Sequence, residues 1–178
     1  AKQLLGNIDA AIEDYNKAIA QDASYSRAYE NRATALYEKE DYEGVINDVD
    51  ALEDLGEANP QLFLIKAESY YQMEDWPGAI SYFEKAIQGG AANADSYFKR
   101  GRAYLEVEDY GTAIQDLNQA AENEPNNPSI FLYRAQAQLY TGNVRAAMED
   151  YSKAIQLNPD NTDAYYNRAV LREEIEGI

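Results

Sequence analysis

Carboxylates are the most plentiful reactive groups in this 178-residue chain: 32 Asp and Glu stand against 15 Lys and Arg, and there is neither His nor Cys. Without Cys there is no disulfide, no thiolate nucleophile and no Cys-ligated zinc or iron–sulfur cluster. Without His the commonest general base and the commonest transition-metal ligand are missing. What is left for catalysis is a pair of carboxylates, the apparatus of glycoside hydrolysis. The acids are spread along the whole chain, however, and no pair stands apart. Stretches such as Glu38-Lys39-Glu40-Asp41 lack the Asp-x-Asp-x-Asn-Gly spacing of a calcium loop. No GxxxxGK(S/T), GxGxxG or GxSxG segment occurs. The expectation is a protein that is not an enzyme and carries no metal and no cofactor.

Recognition is the chemistry that remains. A net charge of −17 argues against nucleic acid, because phosphate binding needs clustered Lys and Arg. No apolar run nears the roughly 18 residues that cross a bilayer, so no membrane insertion is expected. The first residues, AKQLLGNIDA, lack the apolar stretch of a signal peptide. A chain without Cys suits cytoplasm and periplasm alike, and the lack of a targeting segment favours the cytoplasm. Proteins and peptides are then the expected partners, and the 16 tyrosines suit them: aromatic rings give large contact area at low rotamer cost. The charges also have order. Arg32, Arg100, Arg134 and Arg168 recur at one phase, and Asp14, Asp48, Asp116 and Asp150 at another. One unit lacks both and has Lys66 and Tyr82 instead, which suggests that the two slots meet. Partly buried arginines favour bidentate pairing with carboxylates; the alternative is that they reach out to solvent.

These spacings belong to a larger pattern. AIEDYNKAIAQD begins at Ala11, AISYFEKAIQGG at Ala79, AIQDLNQAAENEP at Ala113, and AAMEDYSKAIQLNP at Ala146 with its matching alanine at Ala147. The copy missing from this series is VINDVDALEDL, with Val45 in the alanine slot. Tyr29, Phe63, Tyr97, Phe131 and Tyr165 stand 34 residues apart, and each has a small residue four later: Ala33, Ala67, Gly101, Ala135, Ala169. Each unit divides into two helical halves around a short turn such as Glu40-Asp41, Glu74-Asp75, Glu108-Asp109 or Gly142-Asn143. Twenty-eight alanines, with only 15 Gly and Pro together, suit closely packed helices. The spans expected are 7–21, 26–39, 43–55, 60–73, 77–88, 94–107, 111–123, 128–141, 145–157 and 162–175.

This pattern resembles the tetratricopeptide repeat family: 34 residues, an aromatic opener, two small residues and a late proline. The resemblance covers essentially the whole chain. The late proline is present at Pro125 and Pro159 but replaced by Ala23, Glu57 and Ala91. The usual leucine three residues after the opener is basic here, and Val45 and Leu52 stand where the family prefers alanine. The fold class implied is all-α, a right-handed superhelical solenoid of 34-residue helix-turn-helix repeats. One array is expected over 1–178: a partial repeat 1–25, repeats 26–59, 60–93, 94–127 and 128–161, and a last helix over 162–178. That last helix reads either as a partial repeat or as a capping helix. Ala1 to Leu5 match only the last turn of an earlier first helix.

The resemblance also implies that one side of the first helices lines a concave groove. Leu64, Ile65, Glu68 and Tyr71 fall there in one repeat, and Phe98, Lys99, Arg102 and Leu105 in the next. Leu132, Tyr133, Gln136 and Tyr140 follow, then Tyr166. Nine other tyrosines, namely Tyr15, Tyr29, Tyr42, Tyr70, Tyr97, Tyr104, Tyr110, Tyr151 and Tyr165, fall at slots that pack between helices. A contiguous apolar strip of this kind asks for a partner, so the expected function is a scaffold that binds an amphipathic peptide segment or partner helix in the groove. The alternative is a self-assembling array that forms homo-oligomers through the groove or uncapped ends. Some family members hold the free carboxylate of chaperone tails with Asn, Lys and Arg on successive first helices. Here Asn31 is followed by Gln61 and Ile65 where the clamp would need Lys and Arg, and Lys99 and Arg102 are preceded by Ile65 where it would need Asn, so no such clamp is expected.

Overall fold

Each unit folds as two helices because its turn sequences stop and restart the backbone at fixed places. The computed structural model describes residues 2–176, and the side chains of residues 7–174. Among the described residues there are ten helices and no strand: α1 Lys2–Gln21, α2 Ser26–Glu38, α3 Tyr42–Asp54, α4 Pro60–Gln72, α5 Trp76–Gln88, α6 Ala94–Glu106, α7 Tyr110–Asn123, α8 Pro128–Tyr140, α9 Val144–Leu157 and α10 Thr162–Glu176. From α2 onward every boundary lies within one residue of the span expected from sequence.

Inside each pair the turn is held by one left-handed residue. Glu40, Glu74 and Glu108 have φ of 62°, 59° and 63°, and Gly142 has 77°. The next N–H turns back to the preceding helix, as in Asp41 N–H to the Leu36 carbonyl at 2.9 Å. Asp41, Asp75 and Asp109 then cap the second helix by accepting from the amides of Gly44, Gly78 and Thr112. Between pairs the caps are asparagines: Asn59, Asn93 and Asn127 accept from amides of α4, α6 and α8, and Pro60 and Pro128 occupy the first turn.

One expectation is corrected. Residues 2–5 do not belong to a separate earlier helix, and α1 does not start at residue 7; it runs unbroken from Lys2 to Gln21. The pair Gly6-Asn7 matches Gly142-Asn143, but a turn of this type is held by the helix that packs before it. Where no such helix lies among the described residues, continued winding adds one hydrogen bond per residue.

The chain forms two compact units, one through residue 92 and one from residue 93. The first unit buries Ala33, Val45, Val49, Leu52 and Leu62 in one cluster, and Ala67, Ala79 and Phe83 in another. Val45 and Leu52 are thus fully interior despite their bulk. The second unit buries Leu117, Ala120 and Ile130, and around Tyr151 a larger cluster with Phe131, Ala135, Ala147 and Leu171. A Cβ on Gly101 would stand 2.9 Å from Cγ of Leu117 and 3.3 Å from the Ala113 carbonyl, so this crossing requires glycine.

The charged ladder pairs inside each repeat. Arg100 makes two 2.7 Å bonds to Asp116, and Arg134 bonds to Asp150 at 2.7 and 2.6 Å. Arg32 holds Asp48 in the same bidentate way. The partner lies 16 residues ahead each time. The same groups also reach 16 residues back: Arg32 to Asn16, Arg134 to Asn118 and Arg168 to Ser152. The exceptional repeat keeps this geometry with other chemistry. Lys66 is fully buried and donates to the Tyr82 hydroxyl at 2.6 Å, to Asp50, and to Glu53 at 2.8 Å. Burial alone would push its ammonium down; these three acceptors outweigh that and hold it above the ordinary lysine range.

Candidate functional site

In the first unit the expected face falls on α4. Leu64, Ile65, Glu68 and Tyr71 are all half-buried. Leu64 and Tyr71 lean on the Phe83 cluster, and the Tyr71 ring stands edge-on to Trp76 at 5.4 Å and to Phe83 at 6.5 Å. Ile65 leans on the cluster around Leu52 and Leu62. Glu68 accepts from the Tyr37 hydroxyl at 2.7 Å. The α4 part of the face is therefore tied into its surroundings rather than standing clear.

The second unit carries the other nine positions. Phe98, Lys99, Arg102 and Leu105 lie on α6, Leu132, Tyr133, Gln136 and Tyr140 on α8, and Tyr166 on α10. Phe98 and Tyr133 meet with ring centroids 5.8 Å apart, and the Arg102 guanidinium stands 4.4 Å from the centre of the Tyr133 ring. Both rings, with Leu105, rest on the core of Leu117, Ala120 and Ile130 and are half-buried. Leu132 packs on the cluster around Tyr151. Lys99 reaches back to Asp95 at 2.6 Å. Tyr140 and Tyr166 stand clearest, each 69% exposed, and the Tyr140 ring stacks on Tyr110 at 4.4 Å. Beside Tyr140 and Gln136 opens a cleft of about 560 Å³ between α8, α9 and α10.

The tyrosines divide less cleanly than the periodicity implies. Of the nine assigned to packing slots only Tyr151 is fully buried; Tyr15, Tyr29, Tyr42, Tyr70, Tyr97, Tyr104 and Tyr110 are half-buried. Tyr165 is 45% exposed, and Ala169 on the same helix is exposed, although Ala33, Ala67 and Ala135 at the equivalent slot are buried. No helix among the described residues covers that side of α10. Sequence reasoning also missed most of the charge cluster around Lys66. The slot rule finds Lys66 and Tyr82, but Asp50, Glu53 and Lys85 come from neighbouring turns. Burial would push Glu53 up; hydrogen bonds from Lys66, Lys85 and Tyr82 outweigh it and hold the carboxyl down to about 2.

Among the described residues, no group of three or more His, Cys, Asp or Glu side chains is placed to hold a metal ion, and no helix is long and apolar enough to cross a membrane.

Comparison with known proteins points the same way as the helix pairs. A family model described as TPR repeat matches residues 4–40 and 139–175, and one described as tetratricopeptide repeat matches residues 64–128. No curated protein matches the sequence at a significant level. Among solved structures, the chain is similar to YrrB, described as a TPR protein with an unusual peptide-binding site. The TM-score is 0.84 with 21% identity over 94% of this chain and 86% of that one. MamA of Desulfovibrio magneticus RS-1 gives a TM-score of 0.76 with 13% identity over 85% of each chain. The first TPR of Spaghetti (RPAP3), solved with the HSP90 peptide SRMEEVD, gives 0.62 with 19% identity over 66% of this chain and 94% of that one.

Proposed function

The chain belongs to the tetratricopeptide repeat family, and we propose that it is a non-enzymatic interaction scaffold that binds an amphipathic peptide segment or partner helix on its first-helix face. The observation that carries this reading is the aromatic row of the second unit. Phe98 and Tyr133 are half-exposed with Arg102 over one ring, and Tyr140 and Tyr166 stand open. A residue meant only for the core has its ring covered; a hot spot has a ring anchored on one side and offered on the other. The peptide-binding functions in the names of YrrB and the RPAP3 domain support the same class of role.

The ligand is amphipathic, with apolar anchors for Phe98 and Tyr133 and an acidic group toward Lys99 or Arg102. It is not a chaperone-type acidic tail held by its terminal carboxylate. The test is recovery of bound proteins from lysate by the immobilised chain, with Phe98→Ala and Tyr133→Ala as controls. Loss of the same bands from both variants supports the face. Identical recovery by all three places binding elsewhere.

A second reading, association of copies through the open side of α10, draws on the exposure of Tyr165 and Ala169. Sedimentation velocity across a concentration series tests it. Growth that Ala169→Glu abolishes supports it, and a constant monomer mass removes it.

A further inference from the structure

The α9 slot that holds Tyr151 is a half-buried tyrosine, Tyr15, in α1 and apolar in the three repeats between, where Val49, Phe83 and Leu117 are all fully buried. Tyr151 is as deeply buried, but it brings a hydroxyl that has no hydrogen-bond partner among the described residues. An unpaired buried hydroxyl costs stability that a phenylalanine at the same place would avoid. What sets Tyr151 apart from Tyr15 is that its hydroxyl is closed in without a partner, and that a cleft lies beside it.

Tyr151 lines the cleft of about 560 Å³ between α8, α9 and α10. Leu139, Val144 and Val170 give that cleft apolar walls, and Gln136 and Asn167 give it amide groups. Glu174 is the one charged side chain lining it. On the far side of Gln136 and Tyr140 a second, smaller cleft of about 270 Å³ is lined by Glu106, Glu108 and Tyr110. Among the described residues no Lys or Arg lines either cleft. Between them stands Tyr140, stacked on Tyr110 and 69% exposed. Apolar walls, an open tyrosine ring and carboxylates on both sides suit one kind of group, a cation on an aliphatic stem. An acidic group would meet Glu174, Glu106 and Glu108 with no opposing charge.

We infer that the cleft between α8, α9 and α10 binds a lysine or arginine side chain of the partner peptide, with its stem on Leu139, Val144 and Val170 and its head between the Glu174 carboxylate and the Tyr151 hydroxyl. The inference rests on the peptide-binding reading of the first-helix face and names one subsite of it. Burial, with Tyr140 adding to it, pushes the Tyr151 hydroxyl up to about 12, so it stays neutral and keeps an oxygen lone pair for an N–H donor. Gln136 and Asn167 supply further amide oxygens. The ligand is then bipolar: an acidic group toward Lys99 or Arg102 on α6, and a basic side chain at α10.

The probe is the tripeptide Ac-Leu-Arg-Leu-NH2, titrated into the nitrogen-15-labelled chain at about 150 mM salt, which damps long-range attraction to the acidic surface. Its partner probe carries citrulline, which keeps the shape of arginine and removes the charge. The expected result is amide shifts confined to the cleft, at Val144, Tyr151, Asn167, Val170 and Glu174. Citrulline should bind about tenfold more weakly, the scale of one charged hydrogen-bonded contact. Glu174→Gln should weaken the arginine peptide several-fold. Tyr151→Phe should also weaken it while leaving the melting temperature unchanged or higher, because the orphan hydroxyl is gone. Absent shifts, shifts spread over the acidic surface, equal affinity for citrulline, or an unaffected Tyr151→Phe variant would each overturn the inference. Phe98→Ala lies outside this cleft and should leave the tripeptide unaffected. If the tripeptide fails while a longer peptide still depends on Phe98, the basic subsite falls and the binding face stands.

Discussion

Lys66 shows how one residue can carry a charge through the core at a position where its relatives use a different pair. In three repeats Arg and Asp meet in a bidentate bond; in this one Lys66 meets Tyr82, and the negative charge arrives from Asp50 and Glu53. Glu53 is half-buried and joins Lys66, Tyr82 and Lys85 in that network, and its carboxyl is held down to about 2. A depressed carboxylate contributes stability above its ordinary titration range and loses it as pH falls toward the folded value. Stability should therefore drop between about pH 4.5 and 2, and Glu53→Gln should flatten that part of the profile. At neutral pH the same variant should cost about 3 kcal/mol, because it leaves the buried ammonium short of a carboxylate. Urea melts of the two proteins at several pH values check both points. The Arg–Asp ladder was legible from the sequence because both slots recur at fixed phase and vanish together. The contacts of Glu53 were not: lysine recurs at the Lys85 slot as Lys17 and Lys153, but no other repeat has an acid at the Glu53 slot, where Ile19, Ile87, Ala121 and Ile155 stand. Nor was the state of Phe98 and Tyr133, whose exposure depends on each ring covering the other.

At the scale of elements the helix boundaries were legible almost to the residue, because each is written in a short local code of Asp or Asn caps, Pro at the first turn and a left-handed turn residue. The same code names its weak points. Glu40, Glu74 and Glu108 sit at positive φ, where a Cβ is crowded. Replacing any of them by glycine should stabilise the chain by about 0.5–1 kcal/mol, read as a rise in melting temperature. Gly101 is the reverse case. Gly101→Ala gains helix propensity but drives a methyl group into Leu117, so it should cost about 1–2 kcal/mol net. The start of α1 was not legible: Gly6-Asn7 carries the turn code, yet the backbone winds through it. A turn motif is a preference that packing must complete. The open side of α10 makes the same point, since Ala169 has the residue type of a close crossing without the crossing.

For the whole molecule, the family likeness and the helix pairs account for the fold, and composition accounts for what is missing from it: no His, no Cys and no cluster of basic residues to hold phosphate. Function then depends on which surface meets a partner. The strongly acidic chain should not hold SRMEEVD, the peptide bound by the RPAP3 domain, at micromolar concentration, because Gln61 and Ile65 stand where a carboxylate clamp would need Lys and Arg. Fluorescence anisotropy with labelled SRMEEVD checks this; tight binding lost on amidating the peptide would contradict it. The central claim is that the first-helix face, centred on Phe98 and Tyr133, is where a partner peptide binds. Its most direct test starts from a peptide selected on the immobilised chain from a random display library. The affinity of that peptide is then measured by calorimetry for the parent chain and for Phe98→Ala, with circular dichroism confirming that the variant stays helical. The account predicts a loss of about 1–3 kcal/mol in binding with the fold retained. An unchanged affinity in a folded Phe98→Ala chain would contradict it.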